Sequence, residues 1–297
     1  MKILIIGGTG QLGQDLLIAL SEHDVYSAAR RNAQITIDLA QPDSTLEVLG
    51  RLEPDVVINT AAAHNVPACE ENPAEAYAVN ATGVARLAEA CSESKSRLIH
   101  ISTDYVFGHF PAGVTPRPWR EIDLPSPLNA YASSKLAGEH LLAAACANHI
   151  ILRTSGLYGV NPCLAKGGQN FVQLMLRLAS ERDEVKVVTD EILTPTPTAD
   201  LALQIKELVE NSNARGVFHA TCHGQCSWNE FARAIFDYTK SDVRLLPATQ
   251  QDFPSPVRRP DYSVLDNARL RELGLDVMPD WRQALESYLE KIALEVP

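Results

Sequence analysis

The sequence predicts an α/β fold: a Rossmann-type doubly wound parallel sheet with a smaller, interleaved C-terminal lobe. Three observations predict it. Short apolar runs alternate with longer helical patterns through about residue 160, as βαβ crossovers require. A glycine-rich stretch, GGTGQLG, lies directly between the first apolar run and the first helical pattern. Beyond residue 160 the rhythm loosens. Residues 1–160 are therefore expected to form the sheet domain and 161–297 the lobe, with some segments of the lobe returning to the sheet.

The elements follow in order. KILIIG (2–7) reads as a buried strand, and QLGQDLLIALSE (11–22) as the helix after it. DVYSAA (24–29) is the second strand, residues 43–52 a helix, and DVVINT (55–60) the next strand. NPAEAYAVNATGVARLAEACSES (72–94) is a long Ala-rich helical pattern with Pro73 near its start, where a missing N–H costs nothing. RLIHIST (97–103) is a strand, 129–146 a helix, and HIILRTSGLYG (149–159) a further strand. In the second half, 167–181 is helical and 184–209 reads strand, proline-rich loop, helix. GVFHAT (216–221) is a short strand. SWNEFARAIFDYT (227–239) is a helix with a Ser N-cap and a Glu three residues on, a capping box. Trp228, Phe231 and Phe236 of that helix are expected in a core.

The bulk numbers exclude several classes. A chain of 297 residues with 45% hydrophobic and 21% charged residues is an ordinary globular protein. A net charge of −11 argues against nucleic acid as a partner, since phosphate demands a basic face. It leaves room for an anionic small ligand held by a few Arg and a helix N-terminus. The six cysteines show no CxxC. Cys222 and Cys226, with His219 and His223 nearby, fit neither a zinc ribbon nor a finger, so no metal is expected. MKILIIGG is too short an apolar run for a signal peptide, and no segment reaches the ~18 apolar residues of a membrane span. A soluble, cytoplasmic protein without a membrane partner is expected.

The glycine-rich stretch has the spacing Gly7-x-x-Gly10-x-x-Gly13, with Gln11 and Leu12 opening the helix. Glycines there permit a tight turn and let the backbone approach a pyrophosphate resting on the helix N-terminus. An NAD binder usually offers an acid at the end of the second strand, about 20 residues on. This chain has Arg30 and Arg31 instead. Two guanidinium groups suit a 2′-phosphate, which favours NADPH over NADH; a solvated basic pair is the plainer alternative. Asp38 and Leu39 are placed to flank an adenine. TAAA (60–63) presents Ala61, Ala62 and Ala63 where a dinucleotide needs close backbone approach.

The chemistry is expected downstream. In NAYASSKLAGEH (129–140) Tyr131 precedes Lys135 by four residues, one helical turn, so both side chains share a face. Thr103 ends the strand of ISTDYVFG, at the carboxyl edge where such sheets bind ligands. Tyr131 can donate a proton to a carbonyl oxygen as a hydride reaches its carbon. An unperturbed phenol near pKa ~10 is rarely ionised at neutral pH, and a neighbouring Lys135 is expected to lower that value. Lys135 can also hold the nicotinamide ribose, and Thr103 the substrate oxygen. His64 and His100 are read as structural.

With these residues in hand, the sequence resembles the extended short-chain dehydrogenase/reductases and, more narrowly, the dTDP-4-dehydrorhamnose reductase family. The resemblance rests on GGTGQLG, VVINTAAA, NPAEAYAVNATG, STDYVFG, SPLNAYASSKLAGE, ILRTSGLYG, GGQNFV, LTPTPTADLA, SWNEFA and RRPDYSVLD, and runs from residue 1 to about 290. It implies reduction by NADPH, with NADH as the lesser option, of the 4-keto group of a nucleotide-linked deoxysugar, as in dTDP-rhamnose biosynthesis. It implies that Thr103, Tyr131 and Lys135 are the catalytic set, that Asp104 touches the sugar, that Asn80 lies near the site, and that Asn170 and Arg259 face the diphosphate. A homodimer is compatible with it. VPACEE after TAAA departs from the family, as does Gly156, where the rhamnose-pathway members carry a Trp that packs on the ligand. Three alternatives stay open. A dehydratase wants Thr-Asp-Glu where this chain has Thr103-Asp104-Tyr105. A 4-epimerase wants the ribose-binding acid. A dinucleotide-binding regulatory subunit, like the beta subunit of methionine adenosyltransferase, needs no chemistry at all.

Overall fold

A computed structural model describes residues 1–41, 43–163, 167–211 and 214–295 of the chain. The first half runs β1 (Lys2–Ile6), α1 (Gln11–Ala19), β2 (Asp24–Ala29), β3 (Ile35–Thr36), α2 (Asp43–Leu52), β4 (Val56–Asn59), α3 (Val66–Glu71), α4 (Pro73–Tyr77), α5 (Gly83–Glu93), β5 (Arg97–Thr103), α6 (Ala130–Ala145) and β6 (His149–Thr154). The second half runs β7 (Leu157–Tyr158), α7 (Phe171–Glu181), β8 (Glu184–Val188), β9 (Ile192–Leu193), β10 (Thr196–Pro197), α8 (Thr198–Glu210), β11 (Gly216–His219), β12 (Cys226–Ser227), α9 (Trp228–Thr239), β13 (Arg244–Ala248), α10 (Ala268–Glu272) and α11 (Trp281–Glu295).

Seven of these strands form one parallel sheet in the order β11-β6-β5-β4-β1-β2-β3. The strand order reverses at β1, so helices cover both faces and the strands must be apolar on both sides. They are. Ile3 and Ile5 of β1 enter one core with Leu16 of α1 and Leu201 and Ile205 of α8. Leu4 and Ile6 enter the other with Val84 and Leu87 of α5 and Leu142 of α6. Alternation along a strand sends neighbours to opposite faces, and each such side chain contributes roughly 1.5–3 kcal/mol on burial.

The lobe has its own core, built on Tyr158, Phe231, Ile235, Trp281 and Leu285. Helix α9 carries the expected capping box: Ser227 accepts from the Glu230 amide while Glu230 accepts from the Ser227 amide. The lobe also returns to the sheet, where β11 pairs with β6 in register Gly216↔Ile150 to His219↔Arg153. Arg97, first residue of β5, secures that return. Its buried guanidinium donates to the carbonyls of Leu208, Asn211 and Ala214, the open end of α8 and the entry to β11.

Some elements differ from the sequence expectation. The helix over 72–94 is interrupted by a π turn at Ala78–Thr82 between α4 and α5. The strand over 149–159 breaks at Gly156, whose φ of +57° is left-handed, and β7 leaves the main sheet to pair with β10. The short edge strand β3 was not expected from the sequence at all.

Candidate active site

The carboxyl ends of β1, β2, β4 and β5 converge where the strand order reverses. At the end of β1, Gly7 has φ +88°, and a Cβ there would stand 2.4 Å from Thr60 Oγ1. A Cβ on Gly13 would stand 2.3 Å from the Gly7 carbonyl. Only glycine lets the turn, the first turn of α1 and the end of β4 approach this closely. Gly10 caps α1 without a side-chain hydrogen bond, so the first amides of the helix are left to a ligand or water. Leu12 is buried beneath the turn, and Gln11 donates to the carbonyls of Gly159 and Asn161. Arg30 and Arg31 follow β2, exposed and without an ion-pair partner among the described residues. Asp38 accepts from the Ala40 amide, Leu39 is buried, and Ala61, Ala62 and Ala63 line the end of β4, half-buried. A glycine-walled turn, uncapped helix amides and two unpaired guanidinium groups fit a phosphorylated dinucleotide.

Helix α6 begins at Asn129, whose side chain accepts from the Ala132 amide and donates to the Arg258 carbonyl. Glu70 accepts from the Ala130 amide. These contacts fix the first turn, which carries Tyr131. Its ring meets Tyr105 edge-on at 6.2 Å, and its hydroxyl lies beside Thr103. The Thr103 hydroxyl donates to Asp104 Oδ1 at 3.0 Å and accepts from the Tyr105 amide. The Asp104 carboxylate is buried and also bound by the hydroxyls of Ser155 and Ser263. Burial raises its pKa and the three hydroxyls lower it. Asp104 thus braces Thr103, and its oxygens are engaged within the chain.

Lys135 lies one turn beyond Tyr131 and is 1% exposed. Its Nζ donates to the Ile101 carbonyl at 2.7 Å and lies 3.0 Å from His100 Nε2. Burial lowers its pKa to about 8, against the pull of Glu139. One expectation needs correcting. Lys135 is not what sets the pKa of Tyr131; burial is the largest influence, and it raises it. The reason is geometric: the lysine nitrogen is bonded to Ile101 and His100 instead of the phenol.

Asn80 sits in the π turn. Its side chain accepts from the Ala63 amide and donates to the Ala63 carbonyl and to Ser134 Oγ on α6. It therefore ties the end of β4 to the Tyr131 helix. A Cβ on Gly138 would stand 2.0 Å from the Asn80 carbonyl, so that glycine admits α6 against the π turn. Asn170 is the N-cap of α7, with its amide also donating to the Gly159 carbonyl and to Tyr288 Oη. Its polar atoms are thereby committed to the lobe. Arg259 is partly exposed, with Nη1 3.8 Å from Glu191 Oε1. Glu191 is buried and accepts from Trp228 Nε1, and burial raises its pKa while Arg259 lowers it.

Sequence reasoning missed Gly138 and Glu191 and read His100 as structural. Asn59 and His100 carried a signal: Asn59 ends an otherwise apolar strand, His100 interrupts the apolar run LIHI, and both are fully buried. Gly156 is hemmed by Leu193 and Pro195, and its left-handed backbone disfavours any side chain there.

Among the described residues no helix is long and apolar enough to cross a membrane. A family model described as the RmlD substrate binding domain matches residues 1–294. The chain is 33% identical to the dTDP-4-dehydrorhamnose reductase of Escherichia coli K12, covering 98% of both chains. It is 35% identical to the Bacillus subtilis spore coat polysaccharide biosynthesis protein SpsK, covering 98% of this chain and 97% of that one. The crystal structure of a dTDP-4-dehydrorhamnose reductase from Clostridium acetobutylicum superposes with a TM-score of 0.91 at 37% identity, covering 99% of this chain and 100% of that one. That of Bacillus anthracis, in complex with NADP, superposes at 0.88 and 35% identity, covering 98% and 99%.

Proposed function

Because this chain belongs to the RmlD substrate binding domain family, whose matched relatives include dTDP-4-dehydrorhamnose reductases, we propose that it uses NADPH to reduce the 4-keto group of dTDP-4-dehydro-L-rhamnose to dTDP-L-rhamnose. The observation that carries the chemistry is the phenol of Tyr131, beside Thr103 at the strand end and one turn from a buried lysine.

Gly7, Gly10 and Gly13 with the amides of Gln11 and Leu12 would hold the pyrophosphate, and Ala61 to Ala63 the adjoining backbone path. Arg30 and Arg31 would hold the 2′-phosphate, and Asp38 and Leu39 flank the adenine. NADPH, when bound, supplies the hydride. Tyr131 supplies the proton to the C4 oxygen. Its raised pKa keeps the phenol protonated through the neutral range, which is the donating form. Thr103 fixes the position of that oxygen, and Asp104 holds Thr103 in place. Lys135 would hold the cofactor's ribose with the Nζ valence that Ile101 and His100 leave, and Asn80 keeps the end of β4 aligned with α6. Arg259 has the planar fork that suits a diphosphate, and its loose contact with Glu191 leaves donors for it. Asn170 serves indirectly, by holding the Gly159 turn against α7.

The Thermus thermophilus UDP-glucose 4-epimerase shares the fold at 20% identity, and that likeness says nothing of activity. The direct test is loss of NADPH absorbance on adding dTDP-4-dehydro-L-rhamnose, with the product identified. Turnover is expected. Tight cofactor binding with no reduction of that sugar would favour a regulatory subunit instead.

Arg30→Ala with Arg31→Ala tests the cofactor. Hydrogen bonds to charged groups contribute about 1.5–3 kcal/mol, so KM for NADPH should rise at least ~10-fold, with KM for NADH little changed. Equal effects on both cofactors would remove the 2′-phosphate assignment.

A further inference from the structure

The nitrogens and oxygens running inward from Ala61 have only one consistent assignment of donors and acceptors. A backbone amide must donate, so the Asn59 atom 3.1 Å from the Ala61 nitrogen is its carbonyl oxygen. The other end of that side chain, the NH₂, therefore faces His100 Nδ1 at 3.0 Å and donates to it. A ring nitrogen that accepts carries no proton, so neutral His100 bears its proton on Nε2. That N–H points at Lys135 Nζ, 3.0 Å away. An ammonium has no lone pair and would meet this N–H proton to proton. A neutral amine accepts from it and still donates to the Ile101 carbonyl at 2.7 Å.

We propose that Asn59 and His100 are positioning residues that fix the hydrogen-bond polarity at Lys135, so that its neutral amine is favoured and it gives up its proton more readily than an ordinary lysine in the cofactor-free protein. All three side chains are 0–1% exposed, so water is not at hand to change the assignment. The other groups facing Lys135 and its neighbours do not change it either. Glu139, one turn on along α6, favours the ammonium but is paired with Arg153 of β6. Tyr131, one turn back, is uncharged, and Asp104 is enclosed by hydroxyls. Burial also keeps His100 from taking a second proton. In the reductase reading, on which this consequence rests, a lysine so readily neutralised exerts little pull on the phenol of Tyr131, which stays protonated and ready to donate.

The test is heteronuclear NMR of the nitrogen-labelled, cofactor-free protein. His100 should carry its proton on Nε2 and none on Nδ1 at neutral pH, and the Lys135 side chain should titrate with a midpoint near 8. A proton on Nδ1, or on both nitrogens, overturns the proposal. Asn59→Asp replaces the donating NH₂ with an acceptor. It should switch the ring to the Nδ1–H tautomer and raise the Lys135 midpoint by at least about one pH unit, moving the pH profile of turnover with it. A ring that keeps its Nε2 proton in that variant overturns the proposal as well. Should the variant fail to fold, the wild-type tautomer decides. These readouts need no substrate, so they can fail while sugar reduction stands, and the reverse.

Discussion

Tyr131→Phe should turn over dTDP-4-dehydro-L-rhamnose at least ~10²-fold more slowly than the parent, the usual worth of a general acid. The loss should fall on kcat, with the Kd for NADPH nearly unchanged. The substitution removes one oxygen from a ring whose packing is otherwise kept: the edge-on contact with Tyr105 needs only the ring. Thr103 retains Asp104 and the Tyr105 amide, so the strand end keeps its shape. A fall in kcat with unchanged cofactor binding is the mark of an interaction made in the transition state. If turnover survives the substitution, another group protonates the ketone and the role given to Tyr131 is wrong. Steady-state kinetics with a fluorescence titration of NADPH separates the two outcomes.

Glu139→Ala should cost roughly 3–5 kcal/mol of stability, the penalty for leaving a buried charge without its partner. Glu139 and Arg153 are about 4–5% exposed, with Nη2 and Oε2 2.6 Å apart and Arg153 Nε also donating to the same carboxylate. Ser102 donates to the other side of it. Without Glu139 the guanidinium keeps, among the described residues, the Phe107 ring at 5.2 Å and the His219 ring, whose pKa burial lowers to about 3 and which therefore stays neutral. For a chain of this size the loss corresponds to a fall in Tm of about 5–8 °C. Glu139→Gln should lose less, since the amide oxygen still accepts. The double change Glu139→Leu with Arg153→Met should be less destabilised than Glu139→Ala, because it removes both charges. A Glu139→Ala protein with unchanged Tm would mean that water reaches the site and the charge is not truly buried.

The parallel order, the glycine turn and the Tyr131–Lys135 helix were legible because each rests on local pattern: apolar runs, glycine spacing, one turn of helix. The partners of those residues were not. Lys135 meets His100 and Ile101 only because β5 and α6 pack together, and no spacing encodes that contact. The π turn at Ala78–Thr82 was invisible because its residues read as good helix formers; what demands it is Asn80 reaching both Ala63 and Ser134. The capping role of Asn170, whose side chain closes the start of α7, was not read from its motif. Gly156 read as a lost ring in the pocket; the backbone there is left-handed, which is why the strand ends and the chain turns away from the sheet.

The outermost strand of the sheet comes from Gly216–His219, far along the chain from the β6 it covers. During synthesis the nucleotide-binding half therefore emerges with β6 as a raw edge, its amides and carbonyls free to pair with another nascent chain. The face of α1 that will receive α8 is bare over the same interval. A fragment ending near residue 160 would keep both defects permanently, so the two halves cannot be exchanged between relatives as independent cassettes.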